Sequence, residues 1–450
     1  MNSPVTAEWK SSRLIQLIWP LIIDQILIVL IGIVDTVMVA SLGEASVGGV
    51  SLVDSINVVV VSLFASLTTG GAVVCSQYLG RRENGNACDG AKQLIYVSTV
   101  ISGLMGLMMF LWRMPVLRAV YGHIEHEVMI EAERYFFYTA LSYPFIALST
   151  SGAAVFRSMG NSRVGMWISF LINVLNFAGN SLFIYGFGWG VAGAAISTLV
   201  SRITAAVLLL ILLKNSRGPI NTRGIIHIRL LPSVIRSILK VAVPNGIEGA
   251  TFQIGKLALA RLVSVFGTAA IAGNALGNIF MTLGNLPGLA IAQALLTVVG
   301  QCIGAGDYEG AKRNTRRLMG FNYAAMITFN GLILLSMPLI FRLFGHSLSP
   351  ESLAYGRLFG TIFCTAAMVI WIPAYCLPFA LRASGDGKYT LVISAIAMWA
   401  ARVGIAYLLA YVFGVGAVCV WISMVCEWVV RAAGYVIRWR GGKWREKRII

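Results

Sequence analysis

The sequence predicts an all-α polytopic membrane protein, and three features of its composition and pattern point there. Only 12% of its 450 residues are charged while 58% are apolar; an average soluble domain carries about 25% charged residues. Mean hydropathy is +0.79. Apolar runs of the roughly 20 residues needed to cross a bilayer recur along the whole chain. A soluble enzyme, a disordered tail and a disulfide-stapled secreted module are thereby excluded. The seven cysteines are odd in number and form no CxxC pair, so neither a disulfide framework nor a zinc site is indicated. The first residues, MNSPVTAEWKSSR, lack the short apolar core of a cleavable signal, so the first span is expected to be retained.

Apolar runs divided by Gly, Pro and charge predict twelve spans, near 14–41, 47–79, 93–115, 133–156, 163–186, 191–213, 236–266, 270–303, 318–344, 353–381, 389–413 and 415–437. With the N-terminus inside, the cytoplasmic segments hold 25 Lys and Arg and the opposite side 5, namely Arg113, Arg118, Arg134, Arg342 and Arg357. Such a split places both termini in the cytoplasm of an inner (plasma) membrane. It also accounts for the formal charge of +17 without nucleic acid as a partner, since no aromatic-interleaved basic stripe accompanies it.

The halves resemble each other at an offset near 224. Pro20 pairs with Pro244, Asp24 with Glu248, Gly43 with Gly267, Gln77 with Gln301 and Gly80 with Gly304; FRSMGNSR around Arg157 pairs with LRASGDGK around Arg382. Six spans separate each pair, so the repeats run parallel, an architecture of transporters. The expected organisation is an N-lobe over 1–215, a linker over 216–235, a C-lobe over 236–437 and a basic tail over 438–450.

Ionisable groups inside spans are functional candidates by default. Asp35 lies in the apolar run IVLIGIVDTVMVA, and a carboxylate there can alternate between a proton and a metal ion. Asp24, eleven residues earlier, shares its helical face; Asp54 is nearer a span end. In the fifth span Asn173, Asn176 and Asn180 form one stripe at i, i+3, i+7, whose amide oxygens suit a hard cation or hydrogen bonds between helices. The second half carries Glu248, Lys256, Arg261, Arg402, Glu427 and Arg431, an ion-pair network that is either structural or cargo-binding. Pro20, Pro144, Pro244, Pro287, Pro373 and Pro378 allow kinks. No GxxxxGK is present, so no P-loop ATP hydrolysis is expected. His123, His126, His227 and His346 are read as loop residues, which disfavours an intramembrane enzyme.

The stretches WPLIIDQILIVLIGIVDTVMVASLG, GGAVVCSQYLGRRENGNACDGAKQ, FRSMGNSRVG, NVLNFAGNSLFIYGFGWGVAGAAISTLVS, VAVPNGIEGA and VVGQCIGAGDYEGAKR resemble, in order and spacing, the multidrug and toxic compound extrusion (MATE) family of the MOP superfamily. The resemblance implies two six-helix lobes around a central cavity. It implies export of drugs or amphipathic organic cations in exchange for Na⁺ or H⁺, with no other cofactor. By motif position it places the cation-coupling acid on Asp35, the polar pair on Asn176 and Asn180, a completing Thr on Thr198 beside Ser197, and the hinge on Pro20. Asn180 stands where some members have Asp, Phe252 where one branch has Glu, and Trp371 near that branch's tenth-helix Asp, so coupling is expected in the N-lobe. Asp24, Asp54, Asn173, Glu248, Lys256, Arg402 and Glu427 remain secondary candidates. A lipid-linked oligosaccharide flippase of the same superfamily is the second reading. The expected partners are small-molecule cargo and the lipid bilayer, and the expected state is a monomer. Fusion of a fluorescent protein to Ile450 in a bacterial host should fluoresce, whereas alkaline phosphatase at the same place should be inactive; the opposite pair of results would invert the expected orientation.

Overall fold

A computed structural model describes residues 9–122, 124–344 and 348–450, and among them every regular element is helical. The chain divides into two compact units, Ile15–Val243 with Ile450, and residues 9–14 with Pro244–Ile449.

The first unit contains α1 (Ser11–Ala40), α2 (Glu44–Gly80), α3 (Asn84–Leu111), the short α4 (Arg113–Tyr121), α5 (His126–Ser158), α6 (Arg163–Asn180) and α7 (Gly190–Lys214). Helix α5 is central, packing against α2, α3 and α7, while α6 packs on α7. Phe64, Phe136, Tyr143, Val53 and Leu117 build the core between them. A π-helical turn, Ser181–Gly186, follows α6 directly. The stretch between α7 and α8 is not helical, yet it is tied to α3: the Gln93 amide donates to the Arg229 carbonyl at 2.7 Å, and the Tyr96 hydroxyl to the Ile225 carbonyl at 2.7 Å.

The chain continues with α8 (Pro232–Ser264), then α9 (Thr268–Gly284), α10 (Leu286–Gly304), α11 (Tyr308–Phe344), α12 (Pro350–Ala366), α13 (Ile372–Tyr375), α14 (Leu377–Ala383), α15 (Gly387–Ile396), α16 (Ile405–Tyr411) and α17 (Cys419–Arg440). In the second unit α9 packs on α12, and α10 on α11 and α14. Two further π-helical turns, Ala367–Trp371 and Ala397–Gly404, interrupt the tenth and eleventh spans. Helix α17 reaches three residues past the expected end of the twelfth span.

Among the described residues eleven helices are long and apolar enough to cross a membrane. The seventh expected span, α8, is not one of them: Arg236, Lys240, Glu248, Lys256 and Arg261 punctuate it. The eighth, expected as one run, breaks at Asn285 into α9 and α10. Pro287, in the first turn of α10, removes a donor that a continuous helix would need and a helix start does not. Pro373 and Pro378 likewise open α13 and α14. Pro20, Pro144 and Pro244 sit inside helices that continue past them. His126 corrects the loop assignment, since it is the first residue of α5, where Glu127 in the first turn favours the helix dipole. His227 lies in a turn. His123 and His346 fall outside the described residues.

The repeat shows in the backbone. Gly43 (φ 108°) and Gly267 (φ 89°) precede α2 and α9, and Gly160 (φ 80°) and Gly385 (φ 93°) precede α6 and α15. Both pairs occupy the left-handed region, which a side chain with a Cβ resists. A Cβ on Gly385 would also lie 2.7 Å from Ile449 Cγ1. Gly385→Val should therefore destabilise by ~2 kcal/mol, read as a lower midpoint of thermal unfolding in detergent, with Gly385→Asn losing less because Asn tolerates this region.

Candidate functional site

The first unit gathers four polar side chains from three helices. Asp35 on α1 accepts a hydrogen bond from Asn180 Nδ2 at 2.6 Å. The same nitrogen lies 3.3 Å from Asn176 Oδ1, and Asn176 Nδ2 donates to Thr198 Oγ1 on α7 at 3.1 Å. A chain thus runs Asp35, Asn180, Asn176, Thr198. The i, i+4 spacing puts both amides on one face of α6. Both are fully buried, Asp35 and Thr198 half-buried. Ser197 steadies the arrangement from below, donating to the Asn176 carbonyl at 2.8 Å. The close approach of α7 to α6 there requires Gly179, whose missing Cβ would collide with the Ser197 side chain.

Asn180 Oδ1 is buried with no hydrogen-bond partner among the described residues. A buried unsatisfied carbonyl oxygen costs roughly 1–3 kcal/mol, a cost that a bound cation would remove. The Asp35 carboxylate, the Asn176 and Asn180 amide oxygens and the Thr198 hydroxyl are all hard oxygen donors, the chemistry that Na⁺ prefers. The same carboxylate can instead carry a proton. Asp35 makes no ion pair among the described residues: of the two structural partners the sequence offers it, an amide and the intramembrane Arg202, it bonds the Asn180 amide, while Arg202 donates to Ser142 Oγ at 2.6 Å.

The other candidates of this unit are engaged elsewhere. Asp24 accepts from the Ser169 hydroxyl. Asn173 donates to the Leu27 carbonyl at 3.1 Å and the Ser169 carbonyl at 2.8 Å, fastening α6 to α1. Asp54 accepts from Asn57 at 3.1 Å, and Asn57 accepts from Tyr143 at 2.8 Å. Pro20 is buried inside α1.

The second unit holds its charges differently. Glu427, fully buried, pairs with Arg402 at 2.7 Å and Arg431 at 2.7 Å and accepts from Tyr375 at 3.2 Å. Glu248 pairs with Arg382 at 2.7 Å, lies 3.7 Å from Arg431, and accepts from Ser394. The Arg402 and Arg431 guanidinium groups lie 5.5 and 5.7 Å from the Phe252 ring centroid. Trp371 stacks on Tyr375 at 5.2 Å. Lys256 stays outside this network. Arg382, Ser169, Ser394 and Tyr375 were not singled out from the sequence, because their roles depend on partners about 50 to 150 residues away. The repeat did offer one signal: Asp24 with Ser169, and Glu248 with Ser394, are the same bond one repeat apart.

Carried through the repeat, Asp35 corresponds to Leu259, Asn176 to Ala401 and Asn180 to Ile405. The second unit therefore has no acid and amides at the counterpart of the first unit's site. No cluster of three or more His, Cys, Asp or Glu able to hold a metal occurs among the described residues. Removing one partner of a buried ion pair costs about 3–5 kcal/mol, so Glu427→Ala, which strands Arg402 and Arg431, should lower the thermal midpoint in detergent far more than an exposed control such as Glu446→Ala.

Known proteins share this frame. A family model, MatE, matches residues 20–182 and 244–408, one segment in each half. An uncharacterized transporter, YisQ, of Bacillus subtilis is 25% identical over 97% of this chain and 96% of its own. The probable multidrug resistance protein NorM of Thermotoga maritima is 24% identical over 97% of this chain and 94% of its own. A solved outward-facing MATE family multidrug resistance transporter of the MOP superfamily superposes with a TM-score of 0.88 at 21% identity, covering 97% of this chain and 96% of that one. At that identity the superposition shows the fold.

Proposed function

The chain belongs to the MatE family, the MATE transporters of the MOP superfamily, and from this premise we propose that it is a secondary antiporter that exports drugs or amphipathic organic cations in exchange for Na⁺ or H⁺. It is a multi-pass membrane protein of a transporter family. Its assignment to multidrug export draws on relatives described as probable multidrug resistance proteins. The observation that carries the coupling mechanism is the buried chain Asp35, Asn180, Asn176, Thr198 with its unpartnered amide oxygen.

In this mechanism the cation, entering from outside, occupies the Asp35 carboxylate and the neighbouring oxygens. A carboxylate in hydrocarbon costs several kcal/mol unless neutralised, so the ion stabilises the lobe that holds it. Binding drives alternating access only because the ion's affinity differs between the two states. Cation binding and cargo binding are linked reciprocally. A helix held at Asp35 and weakened fifteen residues earlier at Pro20, where one backbone hydrogen bond is absent, is the element proposed to move. The termini are placed in the cytoplasm of the inner membrane by the Lys and Arg distribution, and the single chain is taken to work as a monomer.

Cells expressing Asp35→Asn at wild-type levels should retain a fluorescent organic cation and lose energised efflux by at least about tenfold, a change of 1.4 kcal/mol. Asn180→Ala should also reduce efflux, and the required concentration of driving ion should rise. Wild-type efflux from well-expressed Asp35→Asn protein would remove the coupling role. Greater dye sensitivity alongside intact cell-wall synthesis in a strain lacking the protein would count for the antiporter and against the flippase reading.

A further inference from the structure

The second unit contains a cavity that the coupling mechanism does not use. It has a volume of about 90 Å³ and is lined by Lys256 and Leu259 on α8, Asn274 and Asn278 on α9, Arg402 and Trp421. Ligand pockets for whole drug-sized molecules are roughly 300–1,000 Å³. This one holds a head group, with the rest of a ligand lying outside it.

Its polar lining combines two cations with two amides and the Trp421 indole. Lys256 is exposed and has no ion-pair partner among the described residues. Arg402 is 93% buried, shown by its 7% exposure. Its Nη1 pairs with Glu427 at 2.7 Å, and its guanidinium lies 5.5 Å from the Phe252 ring centroid. The Asn274 amide is oriented by Trp421, whose indole N–H can only donate and does so to Asn274 Oδ1 at 3.2 Å. That leaves the Asn274 NH₂ as a donor. Asn278 follows at i+4 on the same face of α9. No carboxylate lines the cavity, and the two buried glutamates of the unit are already shared among Arg382, Arg402 and Arg431.

Two further facts make this a built site rather than a stray basic residue. Arg402 sits in the π-helical turn Ala397–Gly404, and such turns cost helical regularity and recur at functional positions. Leu259 is the repeat counterpart of Asp35, so the cavity opens beside the position where the other half carries its acid. The same frame thus bears opposite charge in its two copies.

We propose that this cavity binds an oxyanion, a carboxylate or phosphate, carried on an apolar body. Lys256 supplies the attracting charge, the two asparagines supply directed donors, Arg402 lines the wall beside them, and the Trp421 ring supplies an apolar face. The site widens the cargo of the antiporter reading from cations to amphiphiles that carry a negative group.

The test uses the full-length protein in phosphatidylcholine nanodiscs and titration calorimetry with 2-naphthoate, 2-naphthyl phosphate and 2-naphthylmethylammonium. The two anions should bind and compete with each other, and the ammonium should not displace them. Lys256→Gln should weaken both anions by at least about tenfold, equivalent to 1.4 kcal/mol, and Lys256→Arg should restore most of the loss. Binding is read without any imposed ion gradient, so failure of the coupling mechanism would leave this result standing, and the exposed control Glu446→Ala should bind the anions like wild type. Repetition in phosphatidylglycerol nanodiscs separates two sources of the same chemistry: lost naphthoate binding there assigns the oxyanion to a membrane lipid, and unchanged binding assigns it to a soluble amphiphile. No naphthoate binding, binding indifferent to Lys256→Gln, or equal displacement by the ammonium would overturn the proposal.

Discussion

The hydrogen bond between Asp35 and Asn180 is the contact on which the rest depends. A carboxylate within an apolar helix is costly in hydrocarbon, and it persists only where other polar groups receive it. Here α6 supplies them in a stripe fixed by helical spacing, and α7 completes it through Thr198. Close helix packing follows from that need: Gly179 admits Ser197, and Asn173 fastens α6 to α1. Four oxygens are thereby concentrated where one of them, Asn180 Oδ1, has no protein partner.

The two halves share a scaffold and divide the chemistry. Asp24 with Ser169 and Glu248 with Ser394 are one bond kept in both copies, and the positive-φ glycines before α2, α6, α9 and α15 mark the same turns. The sites themselves diverged. In the second half the acid and amide positions became Leu259, Ala401 and Ile405, while arginines and glutamates formed a buried network whose members largely neutralise one another. Buried ion pairs of this kind return little net stability relative to apolar packing. Their value lies in holding guanidinium groups at fixed places under aromatic rings.

Much of this was legible in the sequence for a physical reason. Hydrocarbon imposes long apolar runs, so the helical class and the approximate spans follow from composition. It also makes each intramembrane charge or amide conspicuous, which singled out Asp35 and the fifth-span asparagines. What was not legible depends on contacts distant in the chain. Arg382 reads as a loop cation until α8 brings Glu248 to it. The breaks at Asn285 and in the three π-helical turns leave no apolar gap to detect. Asn274 and Asn278 look like ordinary helix–helix polar residues until Trp421 orients one of them. Asp24, Asp54 and Asn173 carried the same signal as Asp35, Asn176 and Asn180 and are bonded elsewhere, while Thr198 was placed only by the family resemblance.

The most direct measurement is dye efflux from proteoliposomes of the wild-type protein with a Na⁺ gradient or a pH gradient imposed singly, and with ionophores collapsing each in turn. A carboxylate that exchanges one ion for another as the protein cycles predicts that at least one gradient drives efflux and that collapsing it stops transport. Efflux that ignores both gradients, at equal protein incorporation, would contradict the account.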